Sequence, residues 1–220
     1  ILAGAMQDYG RAVIVGSPQS FGKGTVQTFV ELNRFLNTSD DFGALKLTIQ
    51  KFYRVNGKST QLKGVDSDIP MKDIFTYEEI GERYDNYALP WDQVSTSGFA
   101  PLNTLNMSNL VSNSAKRLTQ NKNYQLLLES AQWKEKLDKE EKVTLNLKEF
   151  ESLMKARKEQ IEKFKSLIKF NNGLNFTLHA DEAKRGKTDE VFAKKSENWL
   201  KNLKRDIYLQ ETVNIISEMK

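Results

Sequence analysis

Cysteine is absent from the 220 residues, so neither a disulfide framework nor thiolate chemistry is available. That absence suits an oxidising or a reducing compartment equally and selects neither. Histidine occurs once, at His179; with only Asp181 and Glu182 near it in a polar stretch, it reads as a surface side chain, and no metal site is expected. No apolar run approaches the roughly 20 residues needed to span a bilayer, and the N-terminus lacks the basic and apolar regions of a signal peptide. Internal repeats are also missing. The formal charge is +4, yet Lys and Arg alternate with Asp and Glu and form no dense basic tract, which argues against a nucleic-acid partner.

What is present describes a folded chain. Hydrophobic residues make up 39% and include three Trp, seven Tyr and twelve Phe, enough for a core, whereas 28% charged residues point to solvated helical surface. The length suits two small domains. Ile1 to Gly10 reads as a helix already under way, with no capping residue before its first apolar positions and Gly10 as its stop, which implies that the natural start lies further upstream. Arg11 to Val15 reads as a buried strand ending at Gly16, and Ser17 to Gly24 as a loop around a single lysine. Thr25 to Leu32 and Ala44 to Val55 read as strands, and Asn56-Gly57 as a tight turn into Ser59 to Leu62, with an extended exit from Lys63 to Met71.

Ile80 to Thr104 has few periodic apolar positions and reads as a wrapping linker, with a domain boundary near Gly98. Beyond it, helical spacing dominates over Leu105 to Leu118, Tyr124 to Leu137 and Phe150 to Phe170, and again from Val191 to Lys220. Val143 to Leu147 reads as a short strand, Asn146 with Glu149 as a capping box, and Gly173 to Lys187 as a mobile stretch. The long Lys/Glu helix lines up Phe150, Leu153, Met154, Arg157, Ile161, Phe164 and Ile168 as a stripe for an intramolecular bundle or a partner subunit. Trp91, Trp133 and Trp199 stand among apolar neighbours and read as packing residues.

Gly22-Lys23-Gly24 carries the chemistry. Flanking glycines let the lysine approach backbone and lose water, which favours a neutral amine able to act as general base for a serine without histidine. A phosphate-binding loop is excluded because five residues, not four, separate Gly16 from Gly22, Gly24 replaces the required hydroxyl, and a strand follows. Ser20-x-x-Lys23 has the spacing of penicillin-binding enzymes, but that motif starts a helix, which Gly22 and Gly24 disfavour. Along a strand, Lys23, Thr25 and Gln27 share one face.

Four blocks, Ala5-Met6-Gln7-Asp8-Tyr9-Gly10-Arg11-Ala12, Phe21-Gly22-Lys23-Gly24-Thr25-Val26-Gln27, Leu47 to Arg54 and Lys63-Gly64-Val65-x-x-Asp68-Ile69-Pro70, resemble in order and spacing the tail-specific (carboxy-terminal processing) serine proteases of peptidase family S41. Ala88-Leu89-Pro90-Trp91-Asp92 and Asp206-x-Tyr208-Leu209-x-Glu211 echo the same family. The resemblance implies an α+β chain: an incomplete α/β, crotonase/Clp-like protease core over 1–97, then a mostly helical C-terminal domain over 98–220. It also implies a Ser/Lys dyad in which Lys23 deprotonates a serine about four residues ahead of Ile1, with Gln27 orienting the lysine. The oxyanion hole and gating PDZ domain would likewise lie upstream, leaving this piece inactive alone, without cofactor or metal. Expected partners are proteins or peptides with exposed C-termini and an adaptor lipoprotein or second copy. The expected location is periplasmic, with membrane association left open. The rival reading is a non-catalytic binding or scaffold module.

Overall fold

A computed structural model describes residues 1–35, 40–96, 98–102 and 105–219. Ser97, where the sequence reading closes the first domain, and Lys220, where it closes the second, lie outside them, as does Thr104, the expected end of the linker. The chain is mixed helix and sheet and divides into two compact units. One holds residues 1–70 and 79–105, the other residues 71–78 and 106–220.

In the first unit, α1 (Leu2–Asp8) ends in a turn where Gly10 takes φ +63°, the left-handed conformation that closes a helix. Its exit is clamped. The Arg54 guanidinium donates from Nε to Asp8 Oδ2 at 2.9 Å and from Nη2 to Gln7 Oε1 at 2.8 Å, while Asn56 Nδ2 donates to Asp8 Oδ1 at 2.8 Å. Among the described residues the strand expected over Arg11 to Val15 pairs only at its end, as β1 (Val15–Gly16), parallel to β4 (Ile69–Pro70). Just before β1, the Ile14 N–H donates to Asp68 Oδ2 at 2.7 Å, so a carboxylate takes the place of a ladder partner.

The two longer strands, β2 (Thr25–Glu31) and β3 (Ala44–Lys51), form an antiparallel pair with an irregularity between Val26 and Gln27. Gln27 therefore faces Thr48, and Ile49 drops out of the register. Asn56-Gly57 makes the expected turn, with Gly57 at φ +82° and its N–H donating to Arg54 O at 2.9 Å. Buried side chains here include Val65 and Ile69 together with the polar Thr25, Ser59, Thr60, Gln61 and Glu82.

The second unit is helical: α2 (Met107–Gln120), α3 (Lys122–Asp138), α4 (Leu147–Ile168), α5 (Ala180–Gly186), α6 (Glu190–Lys204) and α7 (Ile207–Glu218). Leu110, Leu118, Tyr124, Ala131, Ile207 and Ile215 form its core, as the 3.6-residue spacing requires. Met71 is fully buried within the same unit, and the Lys72 backbone is held by Tyr124 Oη and Tyr208 Oη, at 2.8 and 3.1 Å. Arg117 pairs with Glu211, whose side chain is only 6% exposed.

Asn146 caps α4, accepting from the Lys148 and Glu149 N–H groups. The reciprocal arm of the expected capping box runs through Thr144, whose hydroxyl donates to Glu149 Oε2 and accepts from the Asn146 N–H. That use leaves Val143 to Leu147 without a strand partner among the described residues. Of the predicted stripe, Leu153, Arg157 and Phe164 are half-buried, with Phe164 against Trp133 at 5.6 Å, whereas Phe150, Met154, Ile161 and Ile168 are exposed. Gly173 to Lys187, expected to be mobile, contains α5, which His179 caps by accepting from the Asp181 N–H.

Candidate functional site

The loop that presents Lys23 is fixed from both sides by its glycines. Gly22 takes φ +92°, and a Cβ there would stand 2.8 Å from Leu62 O. A Cβ on Gly24 would stand 2.6 Å from the Gln61 nitrogen. Both glycines are buried, whereas Lys23 between them projects outward. Its carbonyl accepts from Thr60 Oγ1 at 3.1 Å, so the Ser59 to Gln61 segment grips the backbone directly behind the lysine.

That segment is itself pinned. The Trp91 indole donates to Ser59 O at 2.9 Å, and the Lys63 ammonium stands 3.6 Å over the Trp91 ring. Next to Trp91, Asp92 accepts from Tyr53 Oη at 3.0 Å and pairs with Lys51 at 2.8 Å. The Lys51 bond, followed by that of Tyr53, holds the Asp92 carboxyl below its ordinary value, while burial and then Asp92 push the Tyr53 phenol up.

Lys23, Thr25 and Gln27 line one open cleft of about 470 Å³ with Lys46 and Thr48 of β3, in keeping with alternation along the two strands. The structure brings the two sequence-selected residues, Lys23 and Gln27, to the same cleft and gives them different partners. Gln27 Nε2 donates to Thr48 Oγ1 at 3.4 Å. Lys23 Nζ faces Glu82 Oε1 at 3.7 Å, an ion-pair separation too long for a hydrogen bond. The lysine side chain is 41% exposed, so the desolvation anticipated from its glycine neighbours is not supplied by these residues. Chemically, the cleft offers an amine without a hydrogen-bond partner among the described residues, backed by a carboxylate and next to an amide.

Two residues of this arrangement escape sequence reasoning. Gln61 is fully buried; its Oε1 accepts from the Gly24 N–H at 2.8 Å and its Nε2 donates to Glu82 Oε1 at 3.1 Å. Glu82, with an 11% exposed side chain, lies in what reads as linker. Their partners are 37 and 21 positions away, so no local pattern marks them. Ser20 is not part of the cleft lining, and its hydroxyl accepts from the Val65 N–H at 2.9 Å. The segment after Gly24 is strand β2, not the helix that a phosphate loop requires.

Among the described residues no helix is long and apolar enough to cross a membrane. Residues 1–71 match the description "Peptidase family S41", and residues 75–220 match "C-terminal domain of tail specific protease". The chain is 46% identical over 107 residues to the tail-specific protease of Haemophilus influenzae, which covers 48% of this chain and 15% of that protein. It is 40% identical over 87 residues to the carboxy-terminal-processing protease of Bartonella bacilliformis, covering 40% and 17%. With the chloroplastic carboxyl-terminal-processing peptidase 3 of Arabidopsis thaliana the identity is 38% over 69 residues, covering 31% and 12%. The chain thus spans less than a fifth of the length of these relatives. With profiles of one protease family matched along almost all of its length, the chain belongs to the tail-specific (carboxy-terminal processing) proteases of peptidase family S41.

Proposed function

We propose that these residues supply the general base of a serine endopeptidase that cleaves exported proteins near their C-termini. The observation that carries this reading is the Lys23 amine, projected by two buried glycines into an open cleft where, among the described residues, it has no hydrogen-bond partner and only Glu82 faces it, at 3.7 Å. In the proposed step, the lysine takes the proton of a serine hydroxyl supplied by the rest of the full-length protein and returns it to the leaving amine. Gln27, on the same cleft wall, orients that lysine when the serine is in place. Among the described residues no serine lines the cleft, and the 220 residues alone are expected to be inactive. The printed names of the relatives support protein substrates with free C-termini, and we place the protein in the periplasm of a bacterium.

The helical part, from about residue 98 onward in our reading, is proposed to bind an adaptor lipoprotein or a second copy. The exposed Phe150, Met154, Ile161 and Ile168 on α4 favour such a binding role and also support the rival reading of a non-catalytic module. Full-length protein separates the two. Lys23→Ala abolishes cleavage of an unfolded reporter with a free C-terminus if the protease reading holds. A Lys23→Ala protein that cleaves at the wild-type rate would refute it.

A further inference from the structure

The geometry points to Glu82 as a positioning residue for Lys23, held in place by Gln61; this rests on the reading of Lys23 as the base. Glu82 and the lysine loop share one mount. The Glu82 N–H donates to Phe21 O, two residues before Lys23, at 2.9 Å, and a Cβ on the preceding Gly81 would stand 3.1 Å from that same oxygen. At the other end, Gln61 joins the Gly24 N–H, one residue after Lys23, to the Glu82 carboxylate. The carboxylate is therefore fixed to the backbone on both sides of the residue it faces.

A role in stability alone does not account for a charge at this position. A glutamine there would satisfy the Gln61 amide without the desolvation cost of a buried carboxylate. The ion pair itself returns little, since the lysine is 41% exposed and solvent screens the attraction. At 3.7 Å the carboxylate biases where the amine sits while leaving its hydrogen-bonding capacity for the cleft. When the serine O–H bond breaks and its proton forms a new N–H bond on Lys23, the ammonium so created faces an anion already in place. When the ammonium releases that proton to the leaving amine, the lysine returns to its starting state. Glu82 exchanges no proton in this cycle.

The experiment uses the full-length protease and a peptide substrate, comparing Glu82→Gln, Glu82→Asp and Lys23→Ala. Glu82→Gln keeps the size and one acceptor for Gln61, so a cavity does not confuse the result. It is expected to lower kcat about tenfold with KM within about twofold, and to displace the pH profile of kcat by about half a unit or more. Glu82→Asp is expected to recover part of the lost kcat, because the charge remains; it also carries the comparison with wild type if Glu82→Gln does not fold. A Glu82→Gln enzyme with wild-type kcat and pH profile, beside an inactive Lys23→Ala, overturns the positioning role and leaves the base intact. A Glu82→Gln enzyme faster than wild type also overturns it, since the carboxylate would then restrain the amine. An active Lys23→Ala removes the base itself, and the inference with it.

Discussion

The substitution Gly24→Ala places a methyl group 2.6 Å from the Gln61 nitrogen and 2.9 Å from Gln61 Cβ and Ser59 Oγ. The nearest of these is backbone and cannot rotate aside, so either strand β2 or the Ser59 to Gln61 segment must shift. Either movement strains the buried bond from the Gly24 N–H to Gln61 Oε1. Overpacking a closed site costs about 1–3 kcal/mol, and losing a buried hydrogen bond about 1 kcal/mol more, giving a loss of about 2–4 kcal/mol. In a chain of this length that corresponds to a fall of about 5–15 °C in Tm. Thermal unfolding followed by tryptophan fluorescence is a suitable assay, because the Trp91 indole is bonded to Ser59 O. Gly186→Ala is the control: its methyl would meet nothing closer than Ala193 Cβ at 3.7 Å at the end of α5, and the change should be neutral or stabilise by up to about 1 kcal/mol. A Gly24→Ala protein that unfolds within about 2 °C of the parent would mean that the Ser59 to Gln61 segment does not pin the lysine loop.

Two further outcomes follow from buried polar groups. Asp8→Ala leaves the Arg54 guanidinium, 15% exposed, without its carboxylate and should cost about 3–5 kcal/mol in urea unfolding. The double change Asp8→Leu with Arg54→Met should recover most of that loss, and a single-variant cost below about 1 kcal/mol would refute the clamp. Burial pushes the phenols of Tyr124 and Tyr208 above their ordinary value of 10.0. The folded state then keeps protons that the unfolded state releases, so this contribution is fully present below pH 10 and is lost as pH rises toward the folded-state values. In an alkaline absorbance titration these two should ionise only as helical circular dichroism is lost; their ionisation in the folded protein would contradict the burial assigned to them.

Much of the fold was legible because its signals are local. The Asn146 cap, the Gly10 stop, the Asn56-Gly57 turn and the 3.6-residue spacing of α2, α3 and α4 each depend on residues a few positions apart. Strand extent was less legible. Arg11 to Val15 has the composition of a strand, but pairing needs a partner elsewhere in the chain, and among the described residues only its end, Val15 with the following Gly16, finds one, in Ile69 and Pro70. Thr144 likewise has strand propensity and is used by a helix cap. At the cleft, Lys23 stood out because glycines flank it, and Gln27 because strand alternation sets it on the same side. Gln61 and Glu82 are ordinary polar residues in the sequence, and only folding back across 21 to 37 positions makes them neighbours of the lysine loop.

The path of the chain through residues 71–78 bears on any attempt to dissect this protein. Those eight residues belong with the helices, although the stretches on either side, up to Pro70 and from Glu79, belong with the strands. A protease nick near Tyr87, which is 94% exposed, would therefore cut the polypeptide in two without releasing the pieces. The N-terminal product would still carry Lys72, whose backbone is held by Tyr124 and Tyr208 of the C-terminal product, and the two should travel together through a sizing column until denaturant separates them.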